Sequence, residues 1–313
     1  MTICSMQLPH SEEQRLAGFK SVLGLRALLL AAIRKFFNER GYLEVETPIM
    51  VRTPALELHI DASPAGKGYL RTSPELHMKR LLCAGYERVF QIGPCFRSGE
   101  RGNLHNPEFT MLEWYRAPAD YMDILSETRE LLGYAAKTCL GKMTFEKNGE
   151  KIDLGTEWLS FSVSECFEKF AGWNPADNFD ERRFDDDLVN CVEPRLPRDR
   201  PVVLRDYPAA AAALARLKAD DRRLAERWEL YLGGIEIANA FSELADPAEQ
   251  RKRFEECAQK RRAMGREVYE LDGEFLAALE AGMPPCAGIA LGLDRLLMLF
   301  AGAQSLDDVL PFR

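Results

Sequence analysis

The sequence predicts an α+β fold in which a mainly antiparallel sheet is flanked by helices. Segments with strand character come in neighbouring runs and hairpins, not in regular alternation with helices, which is typical of antiparallel sheets. The chain has neither a G-x-G-x-x-G fingerprint nor a G-x-x-x-x-G-K-[ST] loop, so neither a dinucleotide-binding fold nor a P-loop is indicated. Residues 1–313 are expected to form one domain.

Composition supports a folded protein with a large core. The chain has 313 residues, of which 46% are hydrophobic and 10% aromatic. Met1 to Arg15 lacks a basic start followed by an apolar run, and the richest apolar run, Ala27 to Ile33, is too short to cross a bilayer. The eight cysteines form no C-x-x-C pair. We therefore expect reduced thiols, a cytoplasmic location and no membrane contact.

The charge balance argues mildly against a large nucleic-acid footprint. Lys and Arg number 41 against 49 Asp and Glu, which gives a net charge of −8. A local basic cluster remains between Arg251 and Arg262. It is either a solvated helix face or a docking surface for a partner.

The elements of the N-terminal half follow from periodicity and from turn residues. Apolar residues at helical spacing predict a helix over 21–40, which Gly41 ends. Gly66 and Gly68 predict a turn, and Pro74 begins a short helix over 75–84. The other predicted elements are strands at 42–46, 89–96 and 109–115, a Gly- and Arg-rich loop at 97–107, and a helix at 121–139.

The C-terminal half contains two predicted hairpins and three helices. Asn148-Gly149 centres a hairpin over 145–154, and Gly233-Gly234 joins strands at 228–232 and 235–244. Residues 174–200 are acidic and contain proline, so we expect an irregular, mobile insertion there. A strand is predicted at 202–206, and helices at 247–264, 274–280 and 292–300.

Polar residues gather around the loop at 97–107. An arginine at the end of a strand, here Arg97, can bridge a carboxylate and a phosphate because its guanidinium is planar. Glu113 and Tyr115 lie two apart, so on a strand they face the same side and can receive an ammonium group. The alternative is a surface loop whose charges meet by chance.

Acids cluster on both sides of the Gly-Gly turn. Glu229 and Glu236 can approach each other across the hairpin, and two carboxylates beside phosphate oxygens suit Mg²⁺. Asn239, Phe241 and Glu243 alternate and share one face of their strand. Exposed acids on an edge hairpin are the alternative, although inward-facing acids would be costly without cations.

Small residues precede the last predicted helix. The stretch AGIALGLDR lets a ligand approach the backbone and places Arg295 where it can meet a terminal phosphate. Taken alone, the same stretch is equally consistent with tight helix–strand packing.

Together these clusters resemble the signature motifs of class II aminoacyl-tRNA synthetases. Residues 34–48 resemble motif 1, residues 97–116 motif 2 and residues 288–299 motif 3. The stretches HNPEFTMLEWY and GGIEIANAFSEL resemble the lysine enzyme and its relatives, and the match runs from about Arg15 to the C-terminus.

Lysyl-tRNA synthetases carry an N-terminal OB-fold ahead of motif 1, and we expect no such domain here. The chain is therefore most similar to the elongation factor P–lysine ligase family. That resemblance implies that ATP activates (R)-β-lysine, and α-lysine less well, as an adenylate. The acceptor is then a lysine side chain of elongation factor P, with Mg²⁺ as cofactor, a homodimer as the assembly and no tRNA partner.

The resemblance also implies roles for individual residues. Arg97 and Arg295 are the expected catalytic residues, acting on the α- and γ-phosphates. Glu229 and Glu236 are the expected metal ligands. The expected ATP-binding residues are Arg97, Glu100, His105, Asn106, Phe109, Glu236 and Arg295. The expected substrate-binding residues are Ser73, Glu75, Glu113, Tyr115, Asn239, Phe241, Glu243 and Ala290.

Three positions depart from the synthetase pattern. Ala290 stands where lysyl-tRNA synthetases have glycine and the ligase family has alanine, so its methyl group is expected to shift preference towards β-lysine by about 1–3 kcal/mol. Gly99 replaces the usual motif 2 acid, which leaves Glu100 as the candidate, and Ala240 also replaces a glycine. The alternative hypotheses are a truncated lysyl-tRNA synthetase and a non-catalytic paralogue.

Overall fold

A computed structural model describes residues 11–313 and confirms the predicted α+β class. Its main sheet has eight strands in the order β1 (Leu43–Glu44), β5 (Arg88–Phe96), β6 (Glu108–Arg116), β13 (Ala287–Gly292), β12 (Ile235–Ser242), β11 (Leu224–Leu232), β10 (Val202–Pro208) and β9 (Leu159–Ser162). Only the outermost pairs, β1–β5 and β9–β10, run parallel, and the five inner pairs are antiparallel. The centre of the sheet is therefore built from the segments that the sequence singled out.

The helices and strands of the described residues have the following bounds. The helices are α1 Glu12–Gly18, α2 Lys20–Asn38, α3 Glu75–Cys83, α4 Tyr121–Leu140, α5 Val163–Phe170, α6 Glu181–Asp187, α7 Pro247–Ala263, α8 Gly273–Ala281 and α9 Leu293–Phe300. The strands are β1 Leu43–Glu44, β2 Met50–Val51, β3 Pro64–Ala65, β4 Gly68–Leu70, β5 Arg88–Phe96, β6 Glu108–Arg116, β7 Thr144–Lys147, β8 Glu150–Asp153, β9 Leu159–Ser162, β10 Val202–Pro208, β11 Leu224–Leu232, β12 Ile235–Ser242 and β13 Ala287–Gly292.

The largest core lies between one face of the sheet and helices α2, α4 and α9. Helix α2 buries Leu29, Ile33 and Phe36, which recur at helical spacing and pack with Trp114 of the sheet. Asp120 caps the N-terminus of helix α4, because its side chain accepts hydrogen bonds from two backbone amides of the first turn. With one face covered by helices, the opposite face of the sheet is left to form the site.

The predicted turn at Gly66 and Gly68 joins β3 to β4, and both predicted hairpin turns are confirmed as well. Asn148 and Gly149 have φ values of 53° and 79°, and Gly233 and Gly234 have φ values of 59° and 76°. Two consecutive positive φ values match the type I′ turn, whose twist suits a two-residue hairpin. The second turn brings β11 and β12 together with Glu229 opposite Asn239.

The prediction of an irregular segment at 174–200 was wrong. Helix α6 is followed by a π-helical turn, Leu188–Val192, and a 3-10 turn, Glu193–Arg195. Phe184, Val192 and Leu196 are buried in a second core beside β10. The many acids hid the few apolar residues that anchor this segment. Its mobility stays a prediction.

Strand β9 and helix α5 were not predicted from the sequence. A capping box explains where the helix begins, because Ser162 and Glu165 exchange hydrogen bonds with each other's backbone amides. Strand β9 adds to the sheet edge beside β10.

The basic cluster on helix α7 is only partly a solvated face. Arg261 is fully buried and donates to the backbone oxygens of Glu57, Leu58 and Ile60. Arg253 donates to the backbone oxygens of residues 212, 213 and 215. These two arginines hold loops in place and are not available to a partner.

The seven cysteines within residues 11–313 are all unpaired, in agreement with the prediction. No single helix in the described part is long and apolar enough to cross a membrane. Helices α1 and α2, bent by 46°, meet that length and composition test only when taken together. Residues 1–10 of the N-terminal stretch examined for a signal peptide lie outside the described residues.

Candidate active site

Two adjoining cavities, of about 400 and 320 Å³, lie on the free face of the sheet. They share a wall that includes Arg97, Asn239 and Ala290. The first cavity is lined by the predicted residues Ser73, Glu75, Arg97, Glu113, Tyr115, Glu229, Asn239, Phe241 and Ala290. The second is lined by the predicted residues Arg97, Glu100, His105, Asn106, Phe109, Glu229, Glu236, Asn239, Ala290 and Arg295.

The register of three strands explains this grouping. Ala290 of β13 lies opposite Glu113 of β6 and opposite Asn239 of β12. Gly288 lies opposite Tyr115 and Phe241 in the same way. Because side chains alternate between the faces of a strand, these positions all face the cavities. Ala240 is fully buried on the other face, so its departure from the synthetase pattern does not touch the site.

Glu113 is the most constrained acid of the first cavity. Its two carboxylate oxygens accept hydrogen bonds from Ser73 Oγ at 2.6 Å and from Tyr115 Oη at 3.0 Å. Burial raises the pKa of Glu113 to about 8, and the negative charge of Glu75 adds to that effect. A bound ammonium group would reverse the shift and hold this carboxylate ionised.

Lys79 is a buried cation that the sequence reading missed. Its ammonium group is 2.5 Å from Glu75 Oε1 and also forms an ion pair with Glu243. Burial alone would lower the pKa of Lys79, but the two carboxylates outweigh burial and raise it. Helical spacing on α3 places Lys79 one turn after Glu75.

Glu243 is the one predicted site residue that lines neither cavity. It is 2% exposed and lies behind the first cavity, against Lys79. Burial raises its pKa, while the ion pair with Lys79 opposes the shift. Direct contact between Glu243 and a substrate stays a prediction.

The charges around the first cavity suit a ligand with two amino groups. Three carboxylates, Glu75, Glu113 and Glu243, surround one cation, Lys79. When all are ionised, three negative charges minus one positive charge leave a net charge of −2. Buried charge of this kind requires compensation, and two ammonium groups would supply it.

Arg97 stands at the junction of the two cavities with part of its hydrogen-bonding capacity unused. Its guanidinium lies over the Phe109 ring, 5.2 Å from the ring centre, and its buried Nε has no hydrogen-bond partner among the described residues. Glu100 is 4.0 Å away and lines the second cavity, as expected of a substitute for the missing acid at Gly99. This arrangement fits an arginine that receives an anionic ligand.

Arg295 connects three residues that line the second cavity. It donates to the backbone oxygens of Leu104 at 3.1 Å and Glu236 at 2.7 Å, and it contacts His105 Nε2 at 2.8 Å. Burial and the charge of Arg295 lower the pKa of His105, which is consistent with a neutral ring that accepts this hydrogen bond.

The side chain of Asn106 is engaged within the protein. Its amide nitrogen donates to the backbone oxygen of Glu108, and its amide oxygen accepts from Arg313. Arg313 also donates to the backbone oxygens of Gly102 and His105. Asn106 therefore shapes the loop, and its predicted contact with ATP remains a prediction.

Arg227 orients Asn239, and its role was not predicted from the sequence. Its guanidinium donates to Asn239 Oδ1 at 3.0 Å and to Glu229 Oε1 at 2.6 Å. With the amide oxygen of Asn239 so occupied, its amide nitrogen is the group left to donate to a ligand in the cavities that Asn239 lines. A donor at this position suits a substrate carboxylate.

Glu229 and Glu236 are close enough to influence each other and fit a Mg²⁺ site. Burial raises the pKa of Glu236, and the nearby charge of Glu229 raises it further. Glu229 also accepts hydrogen bonds from Tyr207 and Tyr231, so Glu236 is the less committed ligand. Within residues 11–313 no group of three potential metal-binding side chains occurs, so water and phosphate would complete the coordination, as Mg²⁺ prefers.

Two further residues support the site and carry weak sequence signals. Asp294 is buried, accepts from the backbone amide of Thr110 at 2.7 Å and pairs with Arg26 at 2.5 Å. A Cβ atom at Gly288 would overlap the Tyr115 ring and lie 2.8 Å from Glu243. Asp294 could have been suspected from its place in motif 3, whereas the requirement for glycine at 288 depends on the packing of three strands.

Comparison with known proteins agrees with this geometry. Residues 12–313 match the family described as tRNA synthetases class II (D, K and N). Three relatives carry the name elongation factor P–(R)-β-lysine ligase. The proteins from Klebsiella pneumoniae subsp. pneumoniae and Hamiltonella defensa are 42% and 40% identical to this chain over 307 residues. The protein from Proteus mirabilis is 40% identical over 302 residues.

Each of the three alignments covers 92% of this chain and 93% of the relative. The matches therefore extend over nearly the whole of both proteins. The chain belongs to the tRNA synthetases class II (D, K and N) family, in the branch that contains the elongation factor P–(R)-β-lysine ligases.

Proposed function

We propose that this enzyme uses ATP to activate (R)-β-lysine, and α-lysine less well, and transfers it to a lysine side chain of elongation factor P. The charge of the first cavity carries the substrate assignment, because three carboxylates around Lys79 suit a diamine. The family match supports adenylate chemistry, and the names of the relatives supply the acceptor.

In the first step the substrate carboxylate attacks the α-phosphate of ATP, and pyrophosphate leaves. Arg97 lies where the two cavities meet, so it contacts both reacting groups and stabilises the charge that develops between them. Asn239 donates to the substrate carboxylate, and Glu75, Glu113 and Tyr115 hold its amino groups. No covalent enzyme intermediate is required, so positioning and electrostatics provide the catalysis.

The second cavity holds the nucleotide. Phe109 stacks on the adenine, His105 and Glu100 border the base and the phosphates, and Arg295 meets the γ-phosphate. Bound Mg²⁺ supplies positive charge to the phosphates. Glu236 and Glu229 are the residues that would hold it.

In the second step the amino group of the acceptor lysine attacks the mixed anhydride, and AMP leaves. The β-amino acid places its amino group one carbon further from the carboxylate than α-lysine does. Ala290 borders both cavities between Glu113 and Asn239, so its methyl group bears on that part of the substrate.

Exposed apolar residues support a homodimer. Leu23, Leu28, Leu43, Ile49 and Met50 all lie near the motif 1 segment and are exposed in the single chain. We propose that a second copy covers them, which sedimentation would show as a dimer of twice 35.5 kDa. The proposed acceptor is a translation factor, so we also place the enzyme in the cytoplasm and expect no charging of tRNA.

Pyrophosphate exchange driven by lysine or β-lysine tests the first step. The wild-type enzyme should exchange with both, and Arg97→Ala should lower the rate by at least about 10²-fold, as expected for loss of a charge that stabilises the transition state. Arg222→Ala is a matched control, because Arg222 is exposed and lines neither cavity. Normal exchange by Arg97→Ala would contradict the assignment.

A further inference from the structure

The first cavity extends beyond the residues that the substrate and ATP need. The additional part of the cavity, here called the second arm, is bordered by the loop 57–60, by residues of the segment 179–188 and by residues 210–215. The proposed function leaves one reactant without a place, namely the acceptor lysine side chain. That side chain must reach the junction of the cavities without displacing the lysine substrate or ATP.

We infer that the second arm receives the lysine side chain of the acceptor protein and that Glu57, at its inner end, accepts the proton which the acceptor ammonium must lose. The inference rests on the proposed function and assigns the group that completes its second step.

Glu57 has the position that this role demands. It lines both cavities, as do Arg97 and Asn239, so it stands where the activated carboxyl group is formed. The carboxylate of Glu57 makes no hydrogen bond or ion pair with another described side chain, and its backbone oxygen alone is bonded, to Arg261. Burial raises the pKa of Glu57, while Arg97 opposes that effect. A raised pKa makes a carboxylate a stronger base.

The entrance of the arm attracts cations. Glu181 and Asp185 of helix α6 line it, and His59 lies across from them with its Nε2 3.7 Å from Asp185. Lys260 pairs with Glu181 at 3.4 Å, which leaves Asp185 as the acid without a Lys or Arg partner in the described part of the chain. The side chains of His59 and Asp185 are about half exposed, so the entrance is open to solvent. Acidic groups at the mouth of a cleft raise the local concentration of a cationic ligand, and the acceptor lysine arrives as an ammonium ion.

The loop that carries Glu57 is held rigidly. Buried Arg261 donates to the backbone oxygens of Glu57 at 2.6 Å and Ile60 at 2.9 Å, and to Asp61 Oδ1 at 2.7 Å. Arg266 adds a hydrogen bond to Asp61 Oδ2 at 3.0 Å. A base works best when its position is fixed before the substrate binds, and these contacts fix the loop backbone.

The transfer step forms one C–N bond and breaks one C–O bond. The acceptor ammonium gives one proton to Glu57 and becomes a neutral amine. Its nitrogen lone pair forms a C–N bond to the carbonyl carbon of the adenylate. The bond between that carbon and the phosphate oxygen breaks, and AMP leaves with the electron pair. The amide nitrogen then loses its second proton to AMP or solvent, and Glu57 returns its proton to water.

Replacing Glu57 with glutamine separates the two steps. Pyrophosphate exchange should stay within about threefold of the wild type, whereas single-turnover transfer from the preformed enzyme–adenylate to elongation factor P should slow by about 10²-fold or more, the usual size of a general-base effect. Glu57→Asp should recover part of the transfer rate. Glu150→Gln, an exposed carboxylate on β8, is the matched control.

Two results would overturn the inference. Transfer by Glu57→Gln at the wild-type rate would show that Glu57 takes no proton, and an equal loss of exchange and transfer would place it in adenylate formation instead. If the wild-type enzyme itself forms no adenylate with lysine or β-lysine, the proposed function fails, and this result is distinct from both.

Discussion

At the scale of single residues, the site depends on how buried charges are paired. Glu75, Glu113 and Glu243 share a small volume with Lys79, and burial raises the pKa of Glu113 to about 8. Ionisation of these buried carboxyl groups is therefore unfavourable, and the two ammonium groups of a bound substrate would compensate their negative charge. The proposed selectivity for a diamine rests on that electrostatic demand.

This imbalance predicts that substrate binding releases protons. Between the ordinary carboxyl pKa near 4.3 and the raised value of about 8, the folded enzyme holds a proton on Glu113 that bound ammonium must displace. The charge of Glu75 adds to the effect of burial on Glu113, whereas the charge of Lys79 and hydrogen bonds from Ser73 and Tyr115 oppose it. Glu113 in turn raises the pKa of Glu243. Calorimetry of lysine binding in buffers of different ionisation enthalpy should show net release of protons at pH 7, to which Glu243 contributes because burial raises its pKa to about 8 as well.

At pH 9 the release should be close to zero, because Glu113 is then already ionised. The variant Glu113→Gln should remove the release attributed to this group at pH 7. Equal proton release by the wild-type enzyme at pH 7 and pH 9 would contradict the pKa argument.

Ala290 supplies a second prediction at this scale. Ala290→Gly removes the methyl group between Glu113 and Asn239, and it should raise kcat/KM for α-lysine relative to (R)-β-lysine by about 5- to 100-fold, the range expected for one methyl group. Ala240→Gly is the control, since Ala240 faces the core. An unchanged preference would remove Ala290 from the specificity argument.

Most site residues could be predicted from the sequence because each lies in a motif with fixed spacing. Arg97, Glu113, Asn239 and Arg295 all line the cavities as expected. Lys79, Arg227 and Glu57 could not be predicted in this way. Their importance depends on partners that are distant in sequence, and no local pattern distinguishes a buried lysine from an exposed one on a short helix.

At the scale of elements, the central strands were predicted and the periphery was not. Strands β5, β6 and β12 alternate clearly or are continuously apolar, and the glycine turns fix the β11–β12 hairpin. The segment 174–200 was misread because three buried side chains, Phe184, Val192 and Leu196, are diluted among acids. Composition reports the average of a segment, whereas folding depends on the few residues that find the core.

Arg261 of helix α7 is expected to stabilise the loop that carries Glu57. Arg261→Met leaves the backbone oxygens of Glu57, Leu58 and Ile60 without donors, and it should lower the free energy of unfolding by about 2–4 kcal/mol, as buried polar groups without partners do. Urea unfolding measures the loss. Lys252→Met on the same helix is the control, because Lys252 is exposed.

Arg261→Met should also reduce transfer to elongation factor P in samples that remain folded, because the loop carrying Glu57 loses its support. Equal urea midpoints for Arg261→Met and Lys252→Met would show that the loop holds its conformation without Arg261.

At the scale of the whole molecule, one face of the sheet packs against the core and the other face carries the candidate active site. Helices α2, α4 and α9 cover one face with the largest core, and the other face carries both cavities. The net charge of −8 and the acidic entrance formed by Glu181 and Asp185 suit a cationic lysine side chain better than an RNA backbone. The charge distribution therefore supports the proposed protein acceptor over tRNA.

The most direct measurement is the intact mass of elongation factor P after incubation with this enzyme, ATP, Mg²⁺ and either α-lysine or (R)-β-lysine, beside a parallel assay of tRNA charging. We predict a mass gain of one lysyl unit on elongation factor P, larger in yield with (R)-β-lysine, and no charged tRNA. Charged tRNA together with unmodified elongation factor P would contradict it and would identify a lysyl-tRNA synthetase activity instead.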